Sequence, residues 1–335
     1  MSAPDLLDLD GVTVTFGGGI RKAPFVALED LSLSIPSQTP EIIAVAGESG
    51  SGKTTLGRVI LGLTKPVRGR VSFDGADIWA TSAVHSRSYL RNVQAVFQDP
   101  FSVFNPFYPV EHLLRAPLRM FGIAHGRAEQ DERITTALRQ VGLKPEQVVG
   151  RYPHQLSGGQ RQRIVVARAL MLRPRLIVAD EPVSMIDASL RANVLENLRA
   201  LRDEHGISIL YITHDLATAR QVSNRLYVLY RGRAVEVGAA GDVIGAPRHP
   251  YTQLLMSSIP RPDPDAPWPA EDVRKGEIGT SDRAACVFLD RCPHRMPVCS
   301  AQPPDFTLGD SRSVSCHLYD GARSATAAAE TQREL

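Results

Sequence analysis

The stretch from Gly47 to Thr54 constrains the fold more than any other part of the sequence, because it reads GESGSGKT and fits G-x-x-x-x-G-K-[ST]. It follows the apolar run Ile42–Ala46, which is typical of a strand buried on both faces, and it precedes the helical pattern TTLGRVILGL. Glycines allow such a loop to wrap around a polyphosphate with its N–H groups pointing inward, and the following helix adds its positive N-terminal end. The sequence therefore predicts a phosphate-binding loop between a buried strand and a helix.

Single residues of this loop predict contacts to a nucleotide and to magnesium. Lys53 would reach the β- and γ-phosphates, and the hydroxyl of Thr54 would bind Mg²⁺. A glycine-rich turn that matches the pattern by chance would occur in roughly one chain of this length in a hundred, so phosphate binding is the favoured interpretation. The candidate phosphate ligands are Gly47, Glu48, Ser49, Gly50, Ser51, Gly52, Lys53, Thr54 and Thr55.

A second strand pattern supplies the acidic half of such a site. The apolar run Leu176–Ala179 leads directly into Asp180 and Glu181. This placement predicts Asp180 as a ligand of Mg²⁺ and Glu181 as the general base for the attacking water, a role typically worth about 10²–10⁴-fold in rate. An Asp-Glu pair at a strand end is usually only solvated, and the phosphate loop on the same chain is what favours hydrolysis.

The pentapeptide LSGGQ precedes the helical run RQRIVVARAL. One interpretation is a simple helix cap, with Ser157 at the N-terminus of the helix. The other is a second anion site, in which exposed N–H groups, a hydroxyl and the helix dipole face a phosphate. Two anion sites on one chain require an explanation that the residues alone do not give. The candidate ligands are Ser157, Gly158, Gly159 and Gln160.

The order of patterns along the chain predicts an α/β architecture. Strands that alternate with helices are typical of a parallel sheet with crossover helices, and the mostly helical residues 88–168 are predicted to be an insertion in that core. The proline-rich stretch SIPRPDPDAPWP predicts an extended linker, and the small polar residues at the end predict a frayed tail. The predicted boundaries are 1–240 for the core domain, 241–320 for a cysteine-containing extension and 321–335 for the tail.

Composition and charge exclude several classes of protein. With 43% hydrophobic and 22% charged residues, the chain has globular rather than disordered composition. Its formal net charge of +2 is too balanced for a sequence-independent nucleic-acid binder. No apolar run has the length of a membrane-spanning helix, and the acidic start MSAPDLLDLD lacks the features of a secretory signal. We therefore expect a cytosolic protein that can dock on a membrane protein.

With LSGGQ and the phosphate loop together, the sequence resembles the ATP-binding subunit of ABC transporters. The resemblance implies a RecA-like P-loop NTPase fold, in which an ABC ATPase core carries LSGGQ on an inserted helical subdomain. It also implies that two such domains face each other head to tail, with ATP between the phosphate loop of one and LSGGQ of the other. The second domain would be a paralogue or another copy of the chain.

The resemblance assigns further residues by motif. Gln98, in VFQDP, matches the glutamine that binds Mg²⁺ and links that site to the helical subdomain. His214, in YITHD, matches the switch histidine at the γ-phosphate. Asp187, in SMID, matches the loop aspartate that reports across the dimer, and Phe16 stands where an aromatic ring stacks on adenine. Taken alone, the histidine would be structural, the glutamine solvated and the phenylalanine part of the core. The order and context of the motifs favour the functional interpretation.

Longer segments narrow the resemblance to importers of oligopeptides, dipeptides and nickel. These segments are GESGSGKTT, FQDPFSVFNP, DEPVSMID and RHPYTQLLMSSIPRPDPD. The resemblance implies an ATPase that energises peptide import at the cytoplasmic face of the inner membrane. Its partners would be two transmembrane permease subunits and, indirectly, an extracytoplasmic solute-binding protein. A soluble ABC ATPase of DNA repair or translation is the alternative, and LSGGQ argues against a P-loop kinase.

The cysteines form the last candidate site, with the spacing C-x5-C-x6-C-x16-C. In a reducing cytosol this clustering favours a metal site over disulfides, and four thiolates suit Zn²⁺ or a [4Fe–4S] cluster. The spacing lacks the short C-x2-C pairs of zinc ribbons, and the resemblance implies iron–sulfur binding in some relatives, so the cluster is favoured over Zn²⁺ and over free thiols. Because the ATP motifs all precede Gly241, we expect nucleotide binding to be independent of this segment. The four residues are Cys286, Cys292, Cys299 and Cys316.

Overall fold

The computed structural model describes residues 4–18, 24–80, 86–184, 188–258, 283–309 and 312–321. Its strands are β1 (Leu7–Phe16), β2 (Phe25–Ile35), β3 (Ile42–Ala46), β4 (Arg68–Phe73), β5 (Ala76–Asp77), β6 (Val93–Val96), β7 (Leu176–Asp180), β8 (Ser208–Thr213), β9 (Arg225–Tyr230), β10 (Arg233–Ala239), β11 (Phe306–Leu308) and β12 (Arg312–Val314). Its α-helices are α1 (Lys53–Ile60), α2 (Arg87–Asn92), α3 (Val110–Met120), α4 (Arg127–Gln140), α5 (Pro145–Val148), α6 (Gly158–Leu170), α7 (Ala188–Asp203), α8 (Leu216–Val222), α9 (Ala240–Gly245) and α10 (Pro250–Ser257).

The strands of the described ranges form two sheets. The first is antiparallel, in the order β2-β1-β4-β5. The second has the order β11-β12-β10-β9-β3-β8-β7-β6, and its strands from β9 to β6 are parallel. Every residue of β3 and β8 is buried, as their continuous apolar runs predict for strands covered on both faces. The parallel sheet expected from the alternation of strands and helices is therefore present.

The parallel strands bring the predicted site residues to one edge of this sheet. β3 ends at Ala46 and continues into Gly47, β7 ends at Asp180, and His214 directly follows β8. The next strand along, β6, leads to Gln98. Parallel strands share the edge at which their carboxyl ends lie, and open α/β sheets bind their ligands there. The fold thus assembles the site from four separate parts of the chain.

The chain between β6 and β7 is mainly helical, as the sequence predicts. α3, α4 and α6 bury Leu114, Leu118, Ile134, Leu138 and Ile164 in a core that continues beneath the sheet. The structure also places a strand, β6, inside the stretch predicted to be helical. Its four residues VQAV follow α2 directly and are too short to show a period of their own. In the described ranges, none of the helices is both long and apolar enough to cross a membrane.

The segment after Gly241 is joined to the core sheet rather than only tethered to it. β12 pairs with β10, with Val314 opposite Glu236, and β11 extends the same edge. The buried carboxylate of Glu236 accepts hydrogen bonds from Arg312 and from the backbone N–H groups of Arg248 and His249. These bonds balance a charge that would be costly to bury alone. The predicted linker apart from Ser258, and the predicted tail 321–335 apart from residue 321, lie outside the described residues.

Candidate functional site

The phosphate loop joins the end of β3 to the start of α1 and depends on two glycines. Gly47 has a φ of 153° and Gly52 a φ of 107°. A Cβ atom would overlap the carbonyl oxygen of Leu229 at the first position and that of Ala27 at the second. Both the backbone conformation and the available space therefore require glycine. Substitution of either glycine would therefore displace the loop from these neighbouring carbonyls.

Lys53, the first residue of α1, lies inside the phosphate loop. Its Nζ donates hydrogen bonds to the carbonyl oxygens of Gly47 (2.7 Å) and Glu48 (2.8 Å), and its side chain is buried. Burial lowers the pKa of Lys53, and the carboxylates of Glu181, Asp180 and Glu48 act in the opposite direction. A single ammonium group thus lies between the loop carbonyls and the acidic end of β7.

Asp180 lies beside the start of α1 and shares a hydrogen bond with the hydroxyl of Thr54. Burial raises the pKa of Asp180, the carboxylate of Glu181 raises it further, and the bond to Thr54 opposes both. A carboxylate and a hydroxyl side by side are the oxygen donors that Mg²⁺ prefers, and a cation would favour the ionised form of the acid. These two residues therefore fit a magnesium site. Gln98, the predicted third ligand, is exposed after β6.

Glu181 and His214 contact each other at the same edge of the sheet. Nδ1 of His214 lies 3.0 Å from Oε1 of Glu181. Glu181 has a φ of 48°, and its N–H donates to the carbonyl oxygen of Ile212 in β8 (2.9 Å). A left-handed conformation at a residue other than glycine is uncommon and is found disproportionately at functional sites. The side chain of His214 is 61% exposed, so it faces the solvent from which a substrate would arrive.

The LSGGQ segment forms the N-terminus of α6. Oγ of Ser157 accepts a hydrogen bond from the N–H of Gln160 (3.2 Å), and Oε1 of Gln160 accepts one from the N–H of Ser157 (2.9 Å). This reciprocal capping box is the helix cap that the sequence indicates. A Cβ atom at Gly158 would meet no other atom within 4 Å, so the first turn is open. The second interpretation, an anion site, stays a prediction.

An exposed aromatic pair lies at the end of β1. The side chain of Phe16 is 41% exposed and lies opposite that of Phe25 in β2, which is 61% exposed. Residues directly opposite in an antiparallel pair share one face of the sheet. Of this pair, only Phe16 is predicted from the sequence to have a functional role. Asp187, with the two residues before it, lies outside the described residues.

The four cysteines are neighbours in one segment, and none forms a disulfide. Cys286, Cys299 and Cys316 are buried, and the N–H of Cys286 donates to the carbonyl oxygen of Cys299 (2.9 Å). Burial raises the pKa of Cys316 to about 11, and the other three thiols act in the same direction. Among the described residues, which include all four cysteines, no three His, Cys, Asp or Glu side chains are arranged as a metal site. The thiols are thus close together but do not form a ligand set.

Two family models match the sequence. The ABC transporter model matches residues 28–184, and the model of the oligopeptide/dipeptide transporter C-terminal region matches residues 235–299. A peptide import ATP-binding protein of Brucella ovis is 43% identical over 286 residues, which are 85% of this chain and 89% of that protein. The chain belongs to the peptide-import branch of the ABC transporter ATPases. As a member of this family it is an ATP-hydrolysing cassette protein.

Other proteins of this ABC ATPase family match over nearly the whole chain. The oligopeptide transport ATP-binding protein YkfD of Bacillus subtilis is 37% identical over 321 residues, which are 95% of this chain and 96% of that protein.

Among solved structures, the dimeric ATP-binding cassette MJ0796 bound to ADP and Pi has a TM-score of 0.62 and 28% identity, over 70% of this chain and 98% of that chain. The predicted RecA-like fold of an ABC ATPase is therefore confirmed.

A contact between the cysteine segment and the phosphate loop of this ABC ATPase was not predicted. Nη1 and Nη2 of Arg291 donate hydrogen bonds to Oε2 (2.9 Å) and Oε1 (3.0 Å) of Glu48. The N–H of Glu48 donates to Oη of Tyr251 (2.8 Å). The expectation that nucleotide binding is independent of the cysteine segment stays a prediction, and these contacts argue against it. The partners are 243 and 203 positions apart, so no local pattern indicates them.

Proposed function

We propose that this ABC ATPase hydrolyses ATP to energise the import of peptides through a membrane-spanning transporter. The observation that carries the proposal is the meeting of Lys53, Asp180, Glu181 and His214 at one edge of the parallel sheet. That edge combines a phosphate-binding loop with a carboxylate able to activate water. The peptide assignment is supported by the names of the relatives and by the match to the oligopeptide/dipeptide transporter region.

The phosphate and magnesium ligands have distinct tasks in this proposal. The N–H groups of the loop and the ammonium of Lys53 bind the β- and γ-phosphates. Thr54, Asp180 and Gln98 would hold Mg²⁺, which when bound would supply positive charge against the phosphate oxygens. The chain's own contribution is to fix these donors before the substrate arrives, so that little reorganisation accompanies hydrolysis.

Glu181 and His214 act on the water and on the terminal phosphate. The carboxylate of Glu181 accepts a proton from the attacking water as a general base. His214 holds that carboxylate through the 3.0 Å contact between Nδ1 and Oε1, and its exposed ring reaches the γ-phosphate. The hydrogen bond from the N–H of Glu181 to the carbonyl oxygen of Ile212 in β8 fixes the position of Glu181 and His214 relative to the phosphate loop. The base is therefore oriented from two sides.

The proposed assembly is a pair of ABC domains arranged head to tail. The dimeric structure of MJ0796 supports the pairing of two such domains. Each ATP lies between the phosphate loop of one domain and Ser157 to Gln160 of the other. Asp187 reports across the interface, and Phe16 stacks on adenine. Because ATP binds the closed pair more tightly than the open one, binding shifts the population toward closure and hydrolysis reverses it. The partner is a paralogue or a second copy of the chain.

The proposed organisation keeps the boundaries indicated by the sequence. Residues 1–240 form the ATPase domain with a helical subdomain at 88–168, 241–320 form the extension and 321–335 the tail. The two permease subunits dock at the helical side, where the side chain of Phe107 is 84% exposed. An exposed aromatic ring suits a hydrophobic socket. This docking places the protein at the cytoplasmic face of the inner membrane, with a solute-binding protein as an indirect partner and no nucleic acid.

Transport by a reconstituted complex tests the proposal. The protein is co-purified with its permease subunits, inserted into vesicles with ATP on the ATPase side, and supplied with binding protein and a labelled oligopeptide on the other. We expect peptide uptake that requires ATP and that is lost in Lys53→Ala, because the ammonium no longer binds the phosphates. A soluble ABC ATPase would hydrolyse ATP equally well without permeases and would import nothing, and that result would contradict the proposal.

The four cysteines complete the proposal as the ligands of a metal centre, with a [4Fe–4S] cluster favoured over Zn²⁺. Its support is the chemistry of the side chains alone, since four thiols lie in one segment and three of them are buried, while in the described geometry no three of them are arranged as a metal site. Burial and mutual repulsion oppose ionisation, as the raised pKa of Cys316 shows. Bound iron would supply the positive charge that allows thiolates to form in such a place. A small loop-rich segment would also gain stability from a metal.

We expect protein purified without oxygen to be brown, with broad visible absorbance that fades in air. Cys292→Ser should lose the colour and the bound iron because one thiolate ligand is missing. Ser300→Ala, which removes a hydroxyl from the same segment, is the matched control and should keep both. Iron, sulfide and zinc are measured directly. Protein that contains zinc and no iron would refute the iron–sulfur cluster but would still support a metal site. Protein that contains neither metal would mean that the four cysteines are free thiols.

A further inference from the structure

We infer that Arg291 and Tyr251, both in the C-terminal extension, are positioning residues for the phosphate loop of this ATPase. They contact Glu48, the second residue of the loop, through its side chain and its backbone. The inference rests on the proposed role of the loop in binding ATP. It adds that the geometry and charge of the loop depend on residues outside the ATPase domain.

The ion pair between Arg291 and Glu48 controls the charge at the loop. Two parallel N–H···O bonds of 2.9 and 3.0 Å join the guanidinium to the carboxylate, and such bidentate pairs fix geometry as well as charge. Glu48 is part of the loop that is predicted to bind the phosphates, so its charge lies close to an incoming polyanion. While it is paired, the carboxylate is neutralised and held toward the extension. Unpaired, it would repel the phosphates.

Tyr251 holds the backbone of the same residue. Its ring is fully buried, and its Oη accepts a hydrogen bond from the backbone N–H of Glu48, with 2.8 Å between the nitrogen and the oxygen. Burial raises the pKa of Tyr251, so the phenol stays neutral. The N–H of Tyr251 in turn donates to Nδ1 of His249 (3.0 Å), and burial lowers the pKa of His249 to about 4, which keeps this ring an acceptor. The orientation of the peptide at Glu48 is therefore set from the extension.

Both contacts are supported by an aromatic cluster of Tyr230, Tyr251 and Phe288, whose ring centroids are 4.5–5.5 Å apart. The guanidinium of Arg291 lies 5.9 Å from the ring centre of Tyr230 and 5.8 Å from that of Phe288. Tyr230 ends β9, which is the neighbour of β3 in the sheet. Proximity to two rings restricts the position of the guanidinium. The cluster thus links the sheet, the extension and the loop.

The test measures binding of the fluorescent analogue mant-ATP and ATPase kinetics in the full-length protein. Arg291→Met keeps the side-chain length and leaves Glu48 unpaired, so we expect KM and the mant-ATP Kd to rise about tenfold. Tyr251→Phe should shift both constants in the same direction. The decisive variant is Arg291→Met with Glu48→Gln, which removes the unpaired charge and should restore most of the affinity. A purely structural role for Arg291 would show no such rescue.

Arg283→Met is the matched control, because Arg283 lies in the same extension and pairs with Glu29 instead of the loop. It should bind mant-ATP like the parent protein. Equal affinities for Arg291→Met and Arg283→Met would overturn the inference, as would a loss of affinity that Glu48→Gln does not rescue. The variant Lys53→Ala distinguishes failure of this inference from failure of the proposed function. If that variant binds mant-ATP normally, the loop is not the ATP site and both ideas fail together.

Discussion

Glu181→Gln is expected to lower ATP turnover by about 10²–10⁴-fold while ATP binding persists. The amide has the shape of the carboxylate but cannot accept a proton from water. Its side chain is also no larger, so the left-handed backbone at this position and the N–H bond to Ile212 are unaffected. Lys53 and Thr54 are untouched, and they are the groups proposed to bind the phosphates. This variant should therefore lose ATP hydrolysis while it retains ATP binding.

Two measurements check this result. Phosphate release gives kcat, and light scattering during size-exclusion chromatography with ATP gives the oligomeric state. Because hydrolysis is what reopens the proposed pair, the variant should persist as a dimer when ATP is present. Glu196→Gln, the same change at a largely exposed carboxylate on α7, should behave like the parent protein. Hydrolysis at the parent rate in Glu181→Gln would remove this residue from its proposed role.

Ser157→Arg is expected to lower hydrolysis by at least about 10²-fold, the scale for loss of a donor to transition-state charge. The first turn of α6 is open at Gly158, and a long cation at the neighbouring position would fill the space proposed for the γ-phosphate of the partner domain. The phosphate loop of the same chain is intact, so a single domain should still bind mant-ATP. The variant should remain monomeric with ATP in the scattering experiment.

The helix cap makes controls necessary for this variant. Loss of the Ser157 hydroxyl removes a hydrogen bond from the N–H of Gln160, which typically costs about 1 kcal/mol of stability. Ser157→Ala has the same loss without the bulk, and Ser157→Asp keeps a cap but repels phosphate. A much larger loss of activity in Ser157→Arg and Ser157→Asp than in Ser157→Ala supports an anion site across the dimer. If Ser157→Arg and Ser157→Ala lose folding equally, the segment acts only as a helix cap.

The parts of the fold that sequence alone predicts are those with a strong local pattern. Ile42–Ala46 is a strand at the residues expected, since a fully apolar run before a glycine-rich loop has few other interpretations. The cap at Ser157 is equally local, because Ser and Gln at positions three apart are both partners of the capping box. Gly47 and Gly52 are similar cases, because only glycine fits their conformation.

The parts that sequence does not predict depend on contacts between distant segments. β6 is a short edge strand that exists because it pairs with β7, and its own residues carry no clear alternation. The pairing of β12 with β10 joins Val314 to Glu236 across a segment that reads as a linker. The contact between Arg291 and Glu48 is of the same kind. Charged residues are common on surfaces, and nothing in the sequence indicates which two will meet.

The distance along the chain between Glu48 and Arg291 has a consequence for the newly synthesised protein. The 243 positions between them take about 12 to 50 s to translate at the usual rate of about 5–20 residues per second. β3 and α1 are complete early in that interval, but Glu48 then has neither its guanidinium partner nor Tyr251. If Arg291 and Tyr251 position the loop as inferred, a nascent chain on the ribosome carries an unfinished phosphate loop, and full affinity for ATP arises only after Arg291 has been translated. Truncated chains released before the extension would be poor competitors for cellular ATP.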